Sequence, residues 1–167
     1  LMGAYVLKEQ KNDNPGDAYM YAPQVGFDWK AGAGKLTLAT SYYKWDNFSK
    51  KGNFPDASTS QGNIAKANGE LVDFAVWDVY GKYSYAFPNK ITLSAWGHYM
   101  VNQDEDLTGA AAGKDKGYDL GVGIAIHDFS FNVDYKVIEA NATPAWFSDS
   151  DFGFNNLFWF VYFLFMD

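Results

Sequence analysis

YDLGVGIAIHDFSFNVDYKV, residues 118–137, decides the fold. Tyr118, Leu120, Val122, Ile124 and Ile126 alternate with Asp119, Gly121, Gly123 and Ala125. Beyond His127 and Asp128 the alternation resumes, with Phe129, Phe131, Val133, Tyr135 and Val137 against Ser130, Asn132, Asp134 and Lys136. Successive side chains of a strand point to opposite faces, so both runs carry one apolar face and one small or polar face. A two-residue connection between such runs suits a tight hairpin turn, although His-Asp lacks the favoured Asn-Gly chemistry. The stretch reads as an antiparallel hairpin.

The same period continues outward. Trp77, Val79, Gly81, Tyr83, Tyr85 and Phe87 oppose Asp78, Tyr80, Lys82, Ser84 and Ala86. After Pro88-Asn89-Lys90, Ile91, Leu93, Ala95, Gly97, Tyr99 and Val101 oppose Thr92, Ser94, Trp96, His98, Met100 and Asn102. Nearer the start, Tyr19, Tyr21, Val25, Phe27 and Trp29 oppose Met20, Gln24, Gly26, Asp28 and Lys30. Pro23 lacks an amide donor for the ladder there and predicts a bulge. Leu36, Leu38, Thr40 and Tyr42 continue the series, which loses phase at Tyr43 and Trp45. Residues 157–166, LFWFVYFLFM, have no polar face at all. A strand covered on both sides or lying at a subunit contact would read this way, as would a non-native stretch; exposed, it is an aggregation hazard.

The connections alternate in length. Long ones span 10–18, 46–70, 102–116 and 140–156, and short ones 31–35, 88–90 and 127–128, which separates eight strand-like runs in one domain over 1–167. In an up-and-down sheet alternate connections lie at opposite ends, giving one trimmed edge and one elaborated edge. Transmembrane β-barrels show this asymmetry. The expected architecture is therefore all-β, an antiparallel up-and-down transmembrane barrel. Periodicity alone does not say which face points outward. Aromatics near strand ends, polar faces rich in Gly, Ala, Ser and Asn, and runs of barrel-spanning length favour lipid on the apolar side.

Composition agrees. Hydrophobic residues make up 48% of the 167 and aromatics 19%, with 12 Tyr and 16 Gly, yet the mean hydropathy is slightly negative. Apolar residues are interleaved with polar ones. The absence of cysteine excludes a disulfide scaffold, and a net charge of −7 offers no basic face for nucleic acid. No apolar run is long enough for a spanning helix. The chain opens already in a strand-like run, as a processed protein or an internal fragment would.

Four stretches carry a resemblance: LTLATSYYKWDN (36–47), ELVDFAVWDVYGKYSYAF (70–87), ITLSAWGHYMVNQDED (91–106) and FNVDYKVIEANATPAWFSDSDFG (131–153). Over residues 1–153, most firmly from Leu36, the chain resembles the porins of Gram-negative outer membranes. The resemblance implies a large antiparallel barrel of roughly 16 strands, passing small hydrophilic solutes by diffusion. It further implies contact with membrane lipid and lipopolysaccharide, assembly as a homotrimer, and no cofactor. It stops after Gly153, which favours part of a larger barrel over a closed eight-stranded one.

On this reading the polar faces line the lumen. The pore-lining candidates are Asp28, Lys30, Asp78, Lys82, Ser94, His98, Asp119, Asn132, Asp134 and Lys136. The connection 46–70 is either an outside loop or a segment folded inward, where Lys50, Lys51 and Asp56 would constrict the path with opposed charges. The same charges also suit cross-strand ion pairs of small worth. Asp104, Asp106, Thr108 and Asp115 echo the ligand spacing of a calcium loop with Gly109 at its sixth position, but strands rather than helices flank it. A solvated acidic loop is the competing reading. Asp149 and Asp151 make a weaker case of the same kind. Gly32-Ala33-Gly34-Lys35 lacks the length and following helix of a phosphate loop. Catalysis finds no constellation: His98 and His127 have no cysteine and no Gly-x-Ser-x-Gly elbow to serve. Two other classes remain beside the porin. One is a soluble lipocalin-like barrel whose apolar faces enclose a ligand; the other is a small non-conducting outer-membrane barrel acting through its loops.

Overall fold

The structure, a computed structural model, describes residues 1–9, 16–50, 62–66, 71–104, 109 and 112–145, together with the backbone of 158–165. Eight strands follow in chain order: β1 (Met2–Lys8), β2 (Ala18–Ala31), β3 (Gly34–Asp46), β4 (Ala75–Ala86), β5 (Ile91–Asn102), β6 (Lys116–Ile126), β7 (Phe129–Ile138) and β8 (Phe158–Phe165). Each pairs antiparallel with the next in a single sheet of order β1 to β8. Among the described residues β1 and β8 are not paired with each other, so the sheet is up-and-down and open. The wholly apolar segment near the end supplies β8, which is paired with β7 from Phe158 to Phe165.

The three short connections each carry one left-handed residue: Gly32 at φ 59°, Lys90 at φ 59° and His127 at φ 53°. Positive φ at a hairpin corner matches the right-handed twist of the flanking strands. Histidine is among the side chains that tolerate it, which accounts for a tight turn at His127-Asp128 without Asn-Gly.

Two expectations need correction. The bulge is not at Pro23: Tyr21 faces Lys44 and Gln24 faces Ser41 in unbroken register. The missing donor simply leaves a gap in the β2–β3 ladder, while the register shift lies in β1 between Val6 and Lys8. Nor does β3 lose phase. Tyr43 faces Val76 and stays on the side of Ser41, with Trp45 beyond it. The side chains change character there because the loop after β3 covers them.

That cover is the hydrophobic core. Trp45 and Val76 from the strands meet Phe48, Leu71, Val72 and Phe74 from the β3–β4 connection, flanked by Leu7, Met20, Tyr43, Ile64 and Met100. Phe74 stands edge-on to both Trp45 and Phe48, at centroid separations of 6.2 and 5.9 Å, a favoured aromatic geometry. By alternation Met20, Tyr43, Trp45, Val76 and Met100 lie on the face that carries Ser41, Asp78 and His98. The core thus sits at the long-loop end, packed onto the otherwise polar face.

Candidate functional site

The registers bring all ten pore-lining candidates onto that one face. Read across the sheet they fall on four levels: Gln24, Ser41, Asp78 and Met100; then Ala39, Tyr80, His98, Asp119 and Lys136; then Asp28, Thr37, Lys82, Trp96 and Asp134; then Lys30, Lys35, Ser84, Ser94 and Asn132. Over β2 to β7 this face holds the aspartates 28, 78, 119 and 134 and the lysines 30, 35, 82 and 136, so its formal charge is balanced. The chain's net −7 therefore resides elsewhere.

The charged groups make local partnerships. His98 Nε2 hydrogen-bonds Asp78 Oδ2, and Tyr80 meets the imidazole edge-on at 6.2 Å. Lys82 Nζ stands 5.8 Å from the Trp96 ring centre. Asp28 accepts from Thr37 at 2.6 Å and pairs with Lys35 at 2.9 Å. Asp28 and Lys30 lie on the stretch of β2 that extends past β1, at an open border of the sheet. Asp134 is 6% exposed, and Asp119 Oδ1 is buried with no hydrogen-bond partner among the described residues.

Glycines in β6 make room for side chains of β5 and β7. A Cβ on Gly121 would overlap the Trp96 indole, one on Gly117 would reach Met100 at 2.9 Å, and one on Gly123 would overlap Asn132. Gly121→Ala should displace Trp96 and cost about 1–3 kcal/mol as an overpacking change. Urea unfolding of the folded protein measures it, and an unchanged midpoint would show that the indole yields freely.

The opposite face is apolar and outward. Val25 is 68% exposed, Phe27 59%, Leu120 58% and Val122 60%. Tyr21, Tyr42, Trp77, Tyr99 and Tyr118 lie toward the long-loop end, and Trp29, Tyr83, Tyr85, Phe87, Phe129 and Phe131 toward the short turns. Between them run Val25, Leu38, Val79, Ala95, Leu120 and Val122, with Gly81 under Leu38 and Gly97 under Leu120. Two polar groups on this face are satisfied internally. Trp77 Nε1 donates to Thr40 Oγ1 at 2.7 Å, and that hydroxyl donates to the Asp78 carbonyl at 2.8 Å.

Three asparagines knit the long connections together. Asn63 Nδ2 donates to the carbonyls of Ala140 (2.5 Å) and Thr143 (2.9 Å), while its Oδ1 accepts from the Ala145 amide (2.8 Å). Asn141 Oδ1 accepts from the Ile64 amide at 2.9 Å and its Nδ2 donates to the Ile64 carbonyl at 3.2 Å. Asn102 donates to the carbonyls of Asp73 and Asn141, both at 3.1 Å, and accepts from Ala75 at 2.9 Å and Asp104 at 3.2 Å. All three are buried. Ser49 donates to Asp73 Oδ1, and Lys66 approaches the other oxygen at 3.9 Å. Sequence reasoning missed this network: Asn102 stood only as the last polar-face residue of its run, and Asn63 and Asn141 only as members of the long connections 46–70 and 140–156.

Of the constriction candidates, Lys50 is exposed, and Lys51 and Asp56 lie outside the described residues, as do Asp106 and Thr108 of the calcium-like loop and Asp149 and Asp151 of its weaker counterpart. Asp104 pairs with Lys44 at 3.5 Å, and the Asp115 carbonyl accepts from the Asn102 amide at 2.8 Å. Among the described residues no group of three or more His, Asp or Glu side chains is placed to hold a metal ion. Comparison with known protein families, curated proteins and solved structures finds no match.

Proposed function

We propose that the chain forms part of the wall of an outer-membrane porin, a barrel whose apolar face meets lipid and whose polar face lines a water-filled path for small hydrophilic solutes or ions. The observation that carries this reading is the inversion of the two faces. The large aliphatic and aromatic side chains are the exposed ones, while Asp78, His98, Asp119 and Asp134 of the polar face are buried or half-buried and a loop-borne core packs at that face's long-loop end. Contiguous apolar surface of this extent on a water-soluble monomer would be an association liability. Against lipid it is the stable arrangement, and rings toward both strand ends suit the two membrane–water boundaries.

An open sheet leaves unpaired backbone groups at both borders, which hydrocarbon does not tolerate. The proposal therefore requires further strands beside β1 and β8. Transport by this route needs no covalent chemistry and no cofactor, since selectivity follows from path width and fixed charge. A lipocalin-like barrel would need the apolar side chains to enclose a ligand, and the exposure of Val25, Phe27, Leu120 and Val122 favours the porin over it. The deciding measurement is conductance of the detergent-extracted protein in planar bilayers. Uniform ohmic steps are expected; stable membrane insertion without steps would favour a non-conducting barrel acting through its loops.

A further inference from the structure

Resting on the porin reading, we infer that Asn63, Asn102 and Asn141 are positioning residues that fix the described parts of the β3–β4 connection, around Phe48, Asn63-Ile64 and Leu71 to Phe74, as a static part of the pore wall and thereby set the path's width. The argument starts from where that connection goes. Its described parts, around Phe48, Asn63-Ile64 and Leu71 to Phe74, do not extend away from the sheet. They pack on the polar face at the long-loop end, over Tyr43, Trp45, Val76 and Met100. Any solute crossing along the polar face passes beside them.

Apolar packing alone would let such a loop slide, because hydrophobic contact is non-directional. The asparagines remove that freedom. Each carboxamide offers two donors and an acceptor with two lone pairs. Asn63 uses both donors and its acceptor, and Asn102 uses two donors and accepts twice. Their partners come from separate places in the chain: the β3–β4 connection, the residues just after β5, and the residues just after β7. Asn141 and Ile64 form a reciprocal pair across 77 positions of sequence. Asp73 adds a second tie, accepting from Ser49 by its side chain and from Asn102 by its carbonyl. Shifting the loop by one residue would leave several buried donors and acceptors unpaired at once, a cost that is steep and cooperative. Its described parts therefore have one position.

Two measurements test this. In the wild-type protein, the amides of Ile64 and Ala145 should exchange with deuterium as slowly as amides of β4 and β5; exchange at the rate of an exposed loop would overturn the inference. In bilayers, Asn63→Ala should replace a single narrow conductance level with a broadened distribution whose mean is higher by about twofold, as expected when a constriction loosens. A variant that folds, as judged by heat-modifiable gel migration, yet keeps the wild-type level and width would also overturn it. Absence of any conductance in the wild type would instead overturn the porin reading, and slow exchange at Ile64 and Ala145 would then show the loop fixed for another purpose.

Discussion

If the apolar face meets lipid as proposed, Val122→Arg is expected to lower the stability of the bilayer-inserted protein by about 2–4 kcal/mol, the cost of a guanidinium near the bilayer midplane on a barrel's lipid face. Val122 lies mid-strand in β6, is 60% exposed, and shares its level on the apolar face with Ala95 and Val133. No acid is near it on that face, so the arginine has neither a partner nor a short route to the headgroups. The measurement is urea unfolding in lipid vesicles, followed by gel migration of the folded and unfolded forms. On a solvated face the same change would move stability by less than about 0.5 kcal/mol. That smaller value would remove lipid from the apolar face and the porin proposal with it.

Asn102→Ala is expected to destabilise by about 3–5 kcal/mol, because four groups lose a partner in a buried place and each orphaned group costs about 1–3 kcal/mol before water relieves some of them. Asn102 is 1% exposed and contacts Asp73, Ala75, Asp104 and Asn141. Its removal loosens the start of β4 and the connections after β5 and β7 together. Equilibrium unfolding reads the loss, and protection of the Ala75 and Asp104 amides should fall with it. A loss below about 1 kcal/mol would mean that water replaces the carboxamide without penalty.

The sheet was legible because period-2 alternation is a local property. Tyr118 to Val137 declares two strands and a turn without reference to anything distant, and the register found there pairs Gly121 with Asp134 and Val122 with Val133 as the alternation requires. The ten polar-face candidates followed from the same parity. Parity failed where a third body intruded: Tyr43 and Trp45 keep their face, but parts of the 28-residue connection 47–74 turn that part of the face apolar. The asparagine network was out of reach for a related reason. A carboxamide in a polar loop reads the same whether solvated or buried, and the partner of Ile64 lies 77 residues away. Pro23 misled differently, since a lost donor disrupts hydrogen bonding without obliging the chain to insert a residue.

The lopsided connections also bear on how such a wall is assembled. If the apolar face is to reach lipid, the edge carrying the long connections must be carried through the bilayer, while the turns at Gly32, Lys90 and His127 remain behind. Asn63, Asn102 and Asn141 meet partners from three separate connections, so their bonds form only once all three have come together. The asparagine knot therefore cannot precede the strand pairing that gathers those connections at one edge.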